Sequence, residues 1–408
     1  MYSVLDSLVK SEDSSAGKRA EMILLKMQEL YEEGLMVQPT FQAFQKVIDC
    51  WVFSGIEGAT ERAERVLHFA ESLSEDGDNH LKPTREGYSS VIQAWSLSCT
   101  NDAPERIQRH IRKMQQRYEN GERDFKLDEK IYSALIEAYA NSDRKDATLM
   151  AQTVFDSVPS QQKRTSLYNA LIKAQGGDAI RAESILNQMH EEFLGGNTDT
   201  EPNTQTFNNL IASWSKSGSP MAAWRADSIF QRMEELSTSG KLDVKPDGKT
   251  FDTVIATLSN DWGADAARKI DRYLDLIKEH YRSGKKDCMP SASSYTEAIR
   301  VWGSNVDDPR AVLRAKALFD EMHELVSEGA DSLKPNLETY LVYLKVLSQS
   351  EIDGKADLVK EVLTSMNHNG VEVDATLLSQ IQRVSLPLGV IEASSWTVPI
   401  KDNEIKSL

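Results

Sequence analysis

The chain has 408 residues, 40% of them hydrophobic and 27% charged, and its 47 Lys and Arg against 63 Asp and Glu give a formal net charge of -16. This composition excludes a disordered chain. The acidic balance excludes a surface that is basic throughout, although a locally neutral or basic groove stays compatible with it.

Taken in chain order, an aromatic residue followed by a Leu-Ile-like pair opens one unit after another. The series starts at Tyr2 (YSVLD) and continues at Phe44 (FQKVI), Tyr88 (YSSVI), Tyr132 (YSALI) and Tyr168 (YNALI). It goes on through Phe207 (FNNLI), Phe251 (FDTVI), Tyr295 (YTEAI) and Tyr340 (YLVYL), with Leu378 opening a degenerate tenth copy. From Phe44 to Tyr340 the steps are 36 to 45 residues. A second pattern follows the anchors: RAEMILLKM at Arg19, RAESILNQM at Arg181, RADSIFQRM at Arg225 and RAKALFDEM at Arg314, with looser copies at Arg62 and Met150. Its spacing sets Ala182, Leu186 and Met189 along one helical stripe. A third signal closes most copies: QPT at Gln38, KPT at Lys82, EPN at Glu201, KPD at Lys245, MPS at Met289 and KPN at Lys334. Proline cannot continue a helix, so it is expected to mark the stop before the next pair.

Each unit therefore reads as helix A, short loop, helix B and a Pro-containing turn, and neighbouring pairs stack because neither helix can bury its stripe alone. The prediction is an all-α solenoid of about nine helix-turn-helix repeats over residues 1–374. Repeats start near Met1, Phe41, Arg85, Glu129, Thr165, Thr204, Gly248, Ala292 and Leu337, and residues 375–408 form a degenerate last helix and a tail. The tail from Ser385 is expected to cover the last pair. The start of the chain directly on Tyr2, without a polar cap, predicts further sequence upstream. Within helix A a second ring often follows the anchor by seven residues, as in Phe44/Trp51, Tyr88/Trp95, Tyr132/Tyr139, Phe207/Trp214 and Tyr295/Trp302. Such rings share a face, and core packing is the expected use.

The aromatic-x-x-Leu-Ile opening, the Ala…Met second helix and the terminal Lys-Pro-Asp resemble the pentatricopeptide repeat family, over about Tyr2 to Asp374. Tetratricopeptide repeats carry their Trp and Gly-Tyr signature elsewhere. Most copies here run to 44 residues, longer than the family norm of about 35. The resemblance implies a right-handed superhelical array that reads single-stranded RNA at one base per repeat. It also implies a role in organellar RNA processing, stability or translation, in mitochondrion or plastid.

By that resemblance the residue after the aromatic and the residue after the terminal Pro read the base. Asn208 with Asp247 matches a uracil pair, Thr296 with Asn336 an adenine pair, Asn169 with Asn203 a pyrimidine pair and Ser89 with Asp128 a guanine pair. Gln45/Thr84, Ser133/Arg164, Asp252/Ser291 and Leu341/Asp374 fall outside the code, and Ser3/Thr40 is uninformative. Repeats three to eight then spell G-N-Y-U-N-A. The plainer reading is that Asp and Asn after Pro cap helices. The family's phosphate-contacting Lys, nine residues after the aromatic, occurs once, as Lys216. Its equivalents are Phe53, Leu97, Asn141, Gly177, Asn260, Ser304 and Gln349. The helix A windows are close to neutral, so nearly all of the -16 is expected on helix B and the linkers. The alternative is a protein–protein scaffold that holds a peptide or helix in the same groove.

Catalytic chemistry is not expected. No zinc-deaminase, zincin, Walker or dinucleotide pattern occurs, and no cofactor, metal or small-molecule substrate is predicted. The acidic stretch EDGDNH at Glu75 lacks calcium-loop spacing and reads as a linker. The seven histidines, mostly on or just after helix B, read as exposed surface residues. Cys50, Cys99 and Cys288 lie too far apart for a zinc or disulfide pattern and read as small buried hydrophobes. No run reaches the length of a membrane span, and MYSVLDSLVKSEDSS is neither a signal nor a transit peptide.

Overall fold

The computed structural model describes residues 1–371 apart from 12, 36–38, 76–78, 241, 243, 262, 306, 307, 309, 351 and 353. Gln38, part of the EDGDNH stretch, Asp374, Leu378 and the whole 375–408 segment lie outside the described residues. Among the described residues the protein is all α, with 3-10 turns and no strand. It forms two compact units, Met1–Ser213 and Trp214–Leu408.

In the first unit the A helices are α1 (Tyr2–Val9), α3 (Phe41–Phe53), α5 (Arg85–Leu97), α7 (Glu129–Ala140) and α9 (Thr165–Ala174). Their B partners are α2 (Ala16–Glu32), α4 (Ala59–Glu75), α6 (Ala103–Glu119), α8 (Ala147–Ser157) and α10 (Ala179–Leu194). Each of these A helices packs on its own B helix, α1 to α7 also each pack on the next A helix, and α3 to α9 each on the B helix before them. Helix α11 (Thr204–Lys216) runs across the unit boundary. The second unit repeats the scheme with α12 (Ala222–Ser239), α13 (Gly248–Leu258), α14 (Ala264–Arg282), α15 (Ala292–Ser304), α16 (Ala311–Ser327), α17 (Leu337–Gln349) and α18 (Lys355–His368).

The core is made of the residues that carry the period. Phe44, Tyr88, Tyr168, Phe207, Phe251, Tyr295 and Tyr340 are buried, whereas Tyr2 and Tyr132 are half-buried. Full burial of one such ring contributes roughly 1.5–3 kcal/mol. The second rings Trp51, Trp95, Tyr139, Trp214 and Trp302 are buried as well, which settles their use as core. On helix B the stripes Ala20/Leu24/Met27, Ala182/Leu186/Met189, Ala226/Phe230/Met233 and Ala315/Phe319/Met322 are all buried.

A recurring device joins the two helices of a pair. The guanidinium of Arg62 lies 5.1 Å from the Trp51 ring, Arg106 lies 4.5 Å from Trp95, and Arg225 lies 5.5 Å from Trp214. In each case the Arg follows the Trp by the same eleven residues, so the first turn of helix B clamps the second ring of helix A through a cation–π contact.

Three readings need correction. Proline is not what stops helix B. In α10, Gly196 adopts φ 101° beyond the last turn, its N–H donates to Phe193 O at 3.0 Å, and Asn197 N donates to Glu192 O at 3.1 Å. This is a glycine-terminated Schellman closure, and a 3-10 turn (Thr198–Thr200) follows before Pro202 and the next helix A. His110 is buried at 1% exposure, because its imidazole is held between helices by the Glu64 carboxylate. Cys99 is exposed, since it lies in the loop after α5 rather than on a packed stripe, whereas Cys50 and Cys288 are buried.

Candidate nucleic-acid interface

In both units the residue after each aromatic anchor lies on helix A. The second position, which follows a Pro in most of the described repeats but Leu127 and Lys163 in two, lies at the N-terminus of the next helix A. In the four candidate pairs that position is occupied by a helix cap. Asp128 Oδ1 accepts from Ile131 N at 3.3 Å, and Asn203 Oδ1 from Thr206 N at 3.1 Å. Asp247 Oδ1 accepts from Thr250 N at 2.8 Å, and Asn336 Oδ1 from Thr339 N at 2.9 Å. Asp247 and Asn336 complete capping boxes with their Thr partners. The plainer reading of these four residues is therefore satisfied, at a worth of about 1 kcal/mol each.

In the first unit two of the four pairs meet. Asn169 Nδ2 donates to Asn203 Oδ1 at 3.2 Å, and Asn209 Nδ2 donates to the Asn169 carbonyl at 2.8 Å. Asn169 is 9% exposed, and its Oδ1 is buried without a hydrogen-bond partner among the described residues. Ser89 and Asp128 share the lining of an open cleft of about 410 Å³ between α3, α5 and α7. Asp128 is not idle there: while Oδ1 caps α7, Oδ2 forms an ion pair with Arg85. Across the cleft, Asp49 accepts from Gln45 Nε2 at 2.8 Å and from Ser90 Oγ at 3.1 Å. Burial pushes the Asp49 carboxyl above its ordinary value despite these bonds.

The other pairs are placed differently. Asn208 is buried in the first unit, and Asp247 belongs to the second. Thr296 is buried and shares a 2.8 Å hydrogen bond with Thr339, whose hydroxyl donates to Asn336 Oδ1 at 3.0 Å. Thr339 thus stands between the two members of that pair. Lys216 is exposed in the last turn of α11. Phe53 and Leu97, at the equivalent position of the second and third repeats, are 72% and 64% exposed.

The off-code repeats use their polar groups on one another. Asp252 accepts from Ser291 Oγ at 2.7 Å and also from Ser294 Oγ, and Arg164 pairs with Asp199 at 2.5 Å. The Arg85–Asp128 pair has no local sequence signal, because its partners lie 43 residues apart. It could have been found only by noting that both residues begin consecutive A helices.

No protein-family model matches the chain. A stretch of 62 residues, 15% of the chain, is 44% identical to a pentatricopeptide repeat-containing protein of Arabidopsis thaliana. That stretch resembles a pentatricopeptide repeat. The match spans a tenth of that relative's length. Among solved structures, the chain is similar to the pentatricopeptide repeat protein PPR10 in complex with an 18-nt psaJ RNA element, at 20% identity and a TM-score of 0.37. That similarity covers 92% of this chain and 50% of the other, and a triple cysteine-to-serine variant of the same complex gives the same values. Among the described residues no helix is long and apolar enough to cross a membrane.

Proposed function

We propose that the protein binds single-stranded RNA through its A helices and reads bases through paired polar side chains from adjacent repeats. It acts as a binding protein rather than an enzyme. The observation that carries this reading is the contact between Asn169 and Asn203, two amides from consecutive repeats brought within 3.2 Å. One of them keeps a buried, unpartnered carbonyl oxygen among the described residues, the kind of acceptor that a base edge satisfies. The assignments of Asn208/Asp247, Thr296/Asn336 and Ser89/Asp128 as further reading pairs, and of Lys216 as a phosphate contact, belong to the same proposal. So does the RNA-processing, stability or translation role in mitochondrion or plastid.

Affinity in this scheme comes from stacking and base edges more than from phosphate, because the phosphate position holds a single Lys. Fluorescence anisotropy with a labelled single-stranded RNA pool tests it. Binding whose log–log salt slope is shallow, on the order of one or two released ions, supports the reading. No binding in low salt refutes it.

One observation favours a second reading. The bulky side chains of Phe53 and Leu97 stand in solvent where a phosphate contact belongs, which suits an apolar peptide or helix. A protein scaffold would bind such a partner with little dependence on salt and would leave the RNA pool unbound.

A further inference from the structure

The B helices of neighbouring repeats are joined by polar contacts, several of them ion pairs. Lys113 meets Glu71 at 2.6 Å, Arg314 meets Asp271 at 2.9 Å and Lys278 meets Glu321 at 2.7 Å, each an acid against a fixed cation. Between α4 and α6, by contrast, two imidazoles converge on one carboxylate. Glu64 and His68 are one helical turn apart on the same face of α4, and His110 comes from α6. The ligand atoms of the three residues lie within 4.8 Å of one another.

The environment favours a cation. His110 Nε2 lies 2.9 Å from Glu64 Oε1, and both side chains are almost completely buried. His110 thus presents Nε2, the ring nitrogen that faces Glu64, to the point where the three residues converge. The other oxygen of Glu64 is held by Arg106 at 2.6 Å, which fixes the carboxylate and leaves Oε1 facing the imidazoles. Asp102 holds the far side of Arg106 at 2.6 Å, and Glu71 lies 3.9 Å from His68 Nε2. Three carboxylates against the two cations Arg106 and Lys113 leave the neighbourhood with one excess negative charge. His68 is half-exposed, so its ring is free to turn toward the buried pair.

We propose that Glu64, His68 and His110 form a site for a zinc-class divalent cation that braces the second repeat to the third. Two imidazoles and one carboxylate are a zinc donor set, with water filling the fourth position on the solvent side of His68. Hard cations such as Ca²⁺ and Mg²⁺ prefer all-oxygen shells and are disfavoured. Donors about 2.0–2.2 Å from a tetrahedral ion stand roughly 3.3–3.5 Å apart. Glu64 Oε1 and His110 Nε2, now 2.9 Å apart, would part by roughly half an ångström to reach that spacing while the exposed His68 turns in. Arg106 then acts as the outer partner that orients the ligating carboxylate.

The test uses the full, tag-free chain stripped with a chelator and titrated with Co²⁺ and then Zn²⁺. The expected result is a visible Co²⁺ absorption band that saturates at one equivalent, is displaced by Zn²⁺, and accompanies a rise in Tm. His68→Gln, which leaves the buried Glu64, His110 and Arg106 contacts in place, is expected to weaken Zn²⁺ on the order of 100-fold with unchanged far-UV circular dichroism. A Co²⁺ spectrum no different from the hydrated ion, or equal Zn²⁺ affinity in His68→Gln and wild type, overturns the proposal. Neither readout involves RNA.

Discussion

Gly303→Ala is expected to destabilise the protein, against the usual preference for alanine inside a helix. Gly303 lies in α15 where α17 crosses it, and a Cβ built there would stand 2.0 Å from Val346 Cγ2, 3.0 Å from its Cβ and 3.1 Å from its Cγ1. Carbon atoms prefer about 3.5–4.0 Å. Because three atoms of the valine are in the way, no rotamer of Val346 clears the clash, and at 5% exposure the side chain has no solvent to move into. The helices must part by about 1 Å or more, an overpacking cost of about 1–3 kcal/mol. Helix propensity returns roughly 0.5–1 kcal/mol, so a net loss of about 1 kcal/mol is expected, and at most about 2.5. Urea unfolding followed at 222 nm measures it. Adding Val346→Ala removes both Cγ atoms, so the double variant is expected to recover at least half of the Gly303→Ala loss rather than to add a second one. A single variant as stable as wild type, or strictly additive losses, would refute the account of how consecutive A helices pack.

Two further predictions follow the polar network. Burial pushes the Glu64 carboxyl up, but hydrogen bonds from His110 and Arg106 outweigh it and hold the group at about 2 against an ordinary 4.5. A depressed carboxyl contributes stability above pH ~4.5 that is lost as the pH falls toward 2, on the order of 3 kcal/mol in all. In metal-free buffer, Glu64→Gln should therefore flatten this acid limb of the stability profile; an unchanged limb would place the titration elsewhere. Arg85→Ala releases Asp128 Oδ2 at the cleft and, as a partly exposed pair, should cost less than about 1 kcal/mol of stability. If Asp128 reads a base, RNA selected by Arg85→Ala gains a guanine preference at the third-repeat position that wild type shows more weakly, and identical preferences would exclude Arg85 from control of that position.

The parts of the fold legible in the sequence were those with a short period. Phe44, Trp51 and their counterparts recur two helical turns apart on one face, and the Ala182/Leu186/Met189 stripe does the same on helix B. Burial follows from that periodicity without knowledge of the neighbours. The Arg–Trp clamp was equally available, as a fixed offset of eleven residues, but spans a loop that a helical wheel does not cover. What could not be read was contact between repeats. Glu64 meets His110 from 46 positions away and Arg106 from 42, distances set by how one pair stacks on the next and by variable loop length. His110 therefore looked like any polar helix B residue until the stacking register placed it under α4. The candidate reading pairs suffer the same ambiguity in another form. Asn203 and Asp247 are the residue types a base reader needs and also those a helix N-terminus needs, and the structure uses them for the second purpose whatever else they do.

That ambiguity is resolved by Asn203→Ser, which keeps a good N-cap but removes the amide that meets Asn169. The decisive measurement is selection from a random single-stranded RNA pool with wild type and Asn203→Ser side by side. The account predicts an enriched motif related to G-N-Y-U-N-A for wild type, with the pyrimidine preference lost at one position, and only there, in the variant. No enriched motif for wild type, or the same motif from both proteins, would contradict it.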